Sequence, residues 1–114
     1  MWFHDCICTR VVDGDTIDLE IDLGFKLKYK CRIRLFGVDT PELNSASAET
    51  RELAQLAKKF MQENLEGKKC HIFTFKDNDK YGRYLAEVFL EENPNTLISI
   101  NNLLLERNLA DIYD

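Results

Sequence analysis

Thr16-Ile17-Asp18-Leu19-Glu20-Ile21-Asp22-Leu23 alternates without a break, placing Ile17, Leu19 and Ile21 on one face and Asp18, Glu20 and Asp22 on the other. A period of two is the signature of a half-buried strand. Gly24 turns the chain, and Phe25 to Val38 alternates again, Leu27, Tyr29, Cys31, Ile33 and Leu35 against Lys26, Lys28, Lys30, Arg32 and Arg34. Before this pair, Trp2 to Val12 mixes apolar and β-branched residues and ends at Asp13-Gly14-Asp15, a strong hairpin signal. Three strands in an antiparallel meander are therefore expected.

Asp39-Thr40-Pro41-Glu42 halts the sheet, and the polar loop Asn44 to Ala48 carries serines able to cap a helix. Leu53, Leu56, Ala57, Phe60, Met61 and Leu65 recur at helical spacing, and Gly67 stands where a C-terminal cap belongs. Strands follow over 68–75 and 84–90. Asn93-Pro94-Asn95 breaks the chain, and Ser99 can cap a last short helix carrying Ile100, Leu103 and Leu104. The expected fold is mixed α and β, mainly β. Its order βββαββα suits a five-stranded OB-fold β-barrel with two helices, one of them plugging an end.

With 114 residues, 45% of them apolar, residues 1–114 are expected to form one domain with its own core. No apolar run is long enough to span a membrane. The opening residues lack the layout of a secretory signal, so an intracellular, membrane-free protein is expected. Cys6, Cys8, Cys31 and Cys70 sit in apolar segments, the close pair being C-x-C, and are read as reduced core or strand thiols. A formal net charge of −5 predicts weak, salt-sensitive attraction to a polyanion unless a bound cation reverses the sign locally.

Three clusters stand at strand ends: Asp13-Gly14-Asp15-Thr16, Arg34 with Asp39-Thr40-Pro41-Glu42, and Asp79-Lys80-Tyr81-Gly82-Arg83. Each alone is an ordinary turn or strand exit. Together they supply carboxylates for a hard cation and two arginines for a phosphate, the inventory of metal-assisted phosphoryl transfer.

In these motifs and their order the sequence resembles the staphylococcal nucleases, or thermonucleases. The resemblance rests on Val12-Asp13-Gly14-Asp15-Thr16, Arg34-Leu35-Phe36-Gly37-Val38-Asp39-Thr40-Pro41-Glu42 and Asp79-Lys80-Tyr81-Gly82-Arg83. It implies that Asp15, Asp39 and the Thr40 carbonyl hold calcium, and that Glu42 acts as general base or positions the attacking water. It implies too that Arg34 and Arg83 grip the scissile phosphate, while Lys80 and Tyr81 contact the neighbouring one. The implied activity is calcium-dependent hydrolysis of DNA or RNA leaving 3′-phosphate ends; single strands are expected to be preferred, because a narrow site must reach one strand's phosphate alone, and no obligatory protein partner is expected. The alternatives are a non-catalytic OB module that binds single strands and a protein-binding domain. No residue after the second helix matches the family's base-flanking aromatic, and Tyr113 is expected only to pack. His4 and His71 are read as ordinary strand histidines, and Asp13 as a turn former.

Overall fold

The structure is a computed structural model of the chain that describes residues 3–78 and 82–113, with the backbone alone at 3, 4 and 76–78. The element order is β1 (Phe3–Asp13), β2 (Thr16–Gly24), β3 (Leu27–Leu35), β4 (Val38–Asp39), α1 (Ala48–Leu65), β5 (Lys69–Asn78), β6 (Tyr84–Asn93), β7 (Thr96–Ser99), α2 (Ile100–Glu106) and β8 (Asp111–Ile112). Strands β3, β2, β1, β5, β6 and β7 form one sheet in that order. Parallel pairing of Ile33–Leu35 with Tyr84–Ala86 joins β3 to β6 and closes a barrel of five strands. The expected OB-type barrel with two helices is the fold observed.

The β2 alternation translates directly into burial. Ile17, Leu19 and Ile21 are buried with Val11, Ile33, Leu35, Ile72 and Val88 in the barrel interior. On the other face, opposite charges stand across β2 and β3: Asp18 faces Arg32, Glu20 faces Lys30 and Asp22 faces Lys28. Arg32 grips Asp18 with two nitrogens, at 2.7 and 3.2 Å. Beyond Cys31, however, β6 no longer flanks β3. Leu23, Phe25, Leu27 and Tyr29 are consequently exposed on a projecting hairpin, although their phase is that of the core.

Helix α1 begins at Ala48, capped by Ser47, whose side chain accepts from the Thr50 N–H. Its buried face is Ala54, Ala57, Met61 and Leu65, while Leu53 and Leu56, expected to face inward, are exposed. The small residues allow closer approach than leucines would. A Cβ on Gly14 would lie 2.8 Å from that of Ala57, so helix and β1–β2 turn touch backbone to side chain. After the helix, Gly67 takes the left-handed conformation at φ 78°. The Glu66 carboxylate accepts from the Val11 N–H at 2.8 Å, fastening the helix end to β1.

Two short additions extend the expected order. Asn93-Pro94-Asn95, read as a break, is the turn of a β6–β7 hairpin, with Asn93 paired to Thr96. Strand β8 pairs with β4, setting Ile112 opposite Val38 and Asp111 opposite Asp39. Among the described residues no helix is long and apolar enough to cross a membrane.

The β2–β3 turn carries avoidable strain. Phe25 and Lys26 both have positive φ, 54° and 63°, in a two-residue hairpin loop where Asn-Gly is favoured. Each side chain in that region costs about 1 kcal/mol or more. Replacing Phe25-Lys26 by Asn-Gly should stabilise the domain by about 1–2 kcal/mol, read as a Tm increase of about 4 °C per kcal/mol. A lower Tm would mean that the exposed Phe25 ring contributes more than its backbone costs.

Candidate active site

Asp13-Gly14-Asp15 closes the β1–β2 hairpin, and the Asp15 N–H donates to Asp13 Oδ1 at 3.1 Å, the short-range bond expected of an Asp turn. Asp15 itself is buried, at 7% exposure. Its Oδ2 accepts from the Thr40 N–H at 3.0 Å, and its Oδ1 accepts from the Thr16 hydroxyl at 3.2 Å. Burial, with Asp15 alongside, pushes Asp13 up to about 6. Burial opposes the charge on Asp15 too, but hydrogen bonds from Asp13 and the Thr40 N–H, and the Arg34 guanidinium, hold it below the usual carboxylate range. Of the turn's two acids, Asp15 is the one kept ionised.

Arg34 lies opposite Thr16 in the β2–β3 ladder. Its Nη1 donates to the carbonyls of Leu35 at 3.0 Å and Val38 at 2.6 Å, which fixes the guanidinium plane. Its Nη2 stands 3.5 Å from Asp15 Oδ2 and 3.2 Å from Asp39 Oδ1. The two expected calcium-binding carboxylates therefore converge on one nitrogen. Arg83 reaches the same place from just before β6, its Nη1 donating to Thr16 Oγ1 at 3.1 Å. Thr40 is buried beside them at 5% exposure.

Thus Asp15, Arg34, Asp39, Thr40 and Arg83 are brought together. Glu42 is exposed on the following loop, and its backbone carbonyl accepts from the Ser45 N–H at 3.3 Å. Lys80 and Tyr81 lie outside the described residues. Among the described residues no set of three or more His, Cys, Asp or Glu is gathered for a metal. The donors on offer are two carboxylates and a carbonyl, hard oxygens that suit a calcium ion completed by water or substrate.

Some participants escaped the sequence reading. The Thr16 hydroxyl donates a hydrogen bond to Asp15 while accepting one from Arg83, linking acid and arginine through one buried oxygen. Asn101, buried on α2, donates to the Phe36 carbonyl at 2.9 Å and accepts from the Val88 N–H at 3.0 Å, clamping the turn after Arg34 to the barrel. A helical Asn gives no such signal in sequence. Tyr113, expected only to pack, is 58% exposed with its ring 5.5 Å from the Arg34 guanidinium carbon. An aromatic ring therefore does stand beside the site after the second helix, and the Tyr113 N–H donates to the Gly37 carbonyl at 2.9 Å.

The fold and this cluster define a small OB-type barrel with an acid–arginine site at one rim. Residues 32–114 match the family model described as staphylococcal nuclease homologue. An uncharacterised protein of Methanocaldococcus jannaschii is 35% identical over 91% of this chain and 56% of its own length. The thermonuclease of Staphylococcus intermedius is 35% identical over 71% of this chain and 46% of its own, and the protein ParB of Escherichia coli 31% over 91% and 54%. The chain belongs to the staphylococcal nuclease family, and it spans about half the length of the curated relatives it matches.

Gly14 offers a test of how tightly the site is built. A Cβ there would meet Thr40 Oγ1 and Ala57 Cβ, each at 2.8 Å. Gly14→Ala should destabilise the domain by about 1–3 kcal/mol, as overpacking does. The measurement is the thermal midpoint, and an unchanged Tm would show that α1 and the Thr40 loop yield freely.

Proposed function

We propose that this domain is a calcium-dependent nuclease that hydrolyses DNA or RNA, prefers single strands and leaves 3′-phosphate ends. The observation that carries this reading is the convergence of Asp15 and Asp39 on Arg34, with Arg83 joined through Thr16. Family membership and the nuclease names of several relatives support it.

Asp15, Asp39 and the Thr40 carbonyl are the groups that would hold calcium, which when bound supplies charge neutralisation at a phosphoryl oxygen and a site to orient water. Arg34, its plane already fixed by two carbonyls, and Arg83 contribute donors to phosphate oxygens as negative charge builds toward the transition state. Because the fork is oriented before substrate arrives, little reorganisation remains at the moment of reaction. Glu42, exposed and close in sequence to the metal-binding residues, accepts or steers the proton of the attacking water. Lys80 and Tyr81 bind the adjacent phosphate. With an acidic chain, substrate attraction depends on these few groups and falls with salt.

Incubating the protein with single-stranded DNA, duplex DNA and RNA, in calcium and in chelator, tests the proposal. Cleavage in calcium alone is expected, with magnesium a poor substitute because a flexible set of so few protein oxygens does not meet its octahedral demand. Asp15→Asn and Asp39→Asn should each raise the calcium concentration required. Full cleavage in chelator would overturn the metal assignment, and binding without cleavage in calcium would identify a non-catalytic OB module.

The arginines give an independent check. Arg34→Lys and Arg83→Lys lose the planar pair of donors, and Arg34→Lys also loses the grip on Leu35 and Val38. A fall in kcat on the order of 10³–10⁵ is expected for removing either guanidinium. Turnover near that of the parent in both variants would show that neither guanidinium acts on the phosphate.

A further inference from the structure

At the other end of β1 from the active site, two thiols face each other. Cys6 on β1 and Cys70 on β5 are direct partners in the antiparallel ladder. Their sulfurs are 3.5 Å apart, and Cys6 Sγ also donates to the Cys70 carbonyl at 3.4 Å. Residues so opposed have Cα atoms about 4.5 or 5.5 Å apart, inside the range of about 4.4–6.8 Å that a disulfide spans. Side-chain rotation can therefore close the gap without moving a strand. Cys8 lies on the same strand but is paired to Leu19 on β2, and its N–H and carbonyl engage Lys68 and Gly67. Cys31, on β3, also faces Leu19, two strands away from β5.

We propose that Cys6 and Cys70 are an oxidation site, closed to an intramolecular disulfide by hydrogen peroxide. The hydrogen bond with Cys6 holds the Cys70 thiol below its usual range, while that bond and burial push Cys6 up. Cys70 is accordingly the first to react. Its thiolate attacks the peroxide, forming an S–O bond as the O–O bond breaks and the first water leaves. The Cys6 sulfur then attacks that of Cys70, forming S–S as S–O breaks, and the second water leaves. Two thiols lose two protons and two electrons, and the peroxide is reduced to two waters.

Both cysteines are buried, at 4% and 1% exposure, so reaction waits on a local opening. The β1–β5 ladder runs from Phe3 to Ile7, and the pair lies within it near the start of β5. The bond joins residues 64 apart in sequence and pins β1 to β5. A loop of that length gives a disulfide a large stabilising effect. Along β1, Cys6 is seven residues from Asp13, roughly 20 Å at the rise of a strand, so the bond tightens the barrel without touching the acid–arginine cluster.

The test treats the native protein with hydrogen peroxide, then alkylates in denaturant and measures mass. Two alkylated thiols in place of four are expected, with a peptide map joining Cys70 to the peptide of residues 1–10. Fragmentation of that peptide, which carries both Cys6 and Cys8, must place the link on Cys6. Tm should rise by at least about 5 °C and return on reduction. Cys8→Ala should keep the link, and Cys6→Ala and Cys70→Ala should lose it. The map on the unsubstituted chain decides even where a variant fails to fold. Four alkylated thiols, a link through Cys8 or Cys31, or a link between chains would overturn the proposal.

Discussion

The guanidinium of Arg34 is the fixed point about which one rim of the barrel is assembled. Its Nη1 holds the Leu35 and Val38 carbonyls, which forces β3 into the turn that delivers Asp39 and Thr40. Its Nη2 balances Asp15 and Asp39, two carboxylates that would otherwise repel each other close to the barrel wall. Because Asp15 also accepts from the Thr40 N–H, the β1–β2 turn and the β3–β4 turn cannot move independently. Removing the cation at this point would leave Asp15, nearly buried, without a neutralising partner, which costs far more than the loss of a surface ion pair.

The same arrangement sets Arg34 apart from the other basic residues of an acidic chain. Most of the basic face of β3 is already spent, since Arg32, Lys30 and Lys28 each stand opposite an acid on β2. Arg34 alone of that row faces a hydroxyl residue, Thr16, in place of a carboxylate. The ladder thus neutralises charge along the hairpin and leaves the guanidinium at the rim directed at the site acids. Burial and the neighbouring Asp15 push Asp13 up to about 6, so its negative charge there is lost as pH falls through that value.

Much of this was legible because it followed short periods and local turns. The Ile17-Leu19-Ile21 alternation gave the strand, its inward face and its partners, since a half-buried strand has one workable register. Turn chemistry gave Asp13-Gly14-Asp15, and cap chemistry gave Ser99 and the serine loop from which Ser47 caps α1. Contacts set by close approach were not legible. The buried face of α1 was legible at Ala57, Met61 and Leu65 but not at Ala54, because leucines such as Leu53 and Leu56 outweigh an alanine in a hydrophobic stripe, whereas the helix seats small residues against the barrel. Leu27 and Tyr29 keep the core phase on a hairpin that has outrun its neighbour, and alternation alone cannot say where a neighbouring strand stops. Strands of two and four residues, β8 and β7, are too short to show any period. Thr16 and Asn101 act through hydrogen bonds across 67 and 65 residues of sequence, to Arg83 and Phe36, which no local pattern encodes.

Those two long-range bonds also indicate why the site can be rigid although it is built largely from turns. Arg34 and Thr16 are in ladder positions of β3 and β2, and Arg83 immediately precedes β6, so three of the five barrel strands carry a member of the cluster at or beside an end. The parts off the barrel are tied back individually. Asn101 secures the Phe36 carbonyl from α2, the Phe36 N–H donates to Ala86 at 2.8 Å, and the Tyr113 N–H secures Gly37. Each backbone bond contributes only about 1 kcal/mol. Together they leave the three residues between Leu35 and Asp39 with little freedom to change the direction of Asp39. Positional accuracy of this kind is what an arginine and carboxylate site needs, since a displacement of about 1 Å can cost two orders of magnitude in rate.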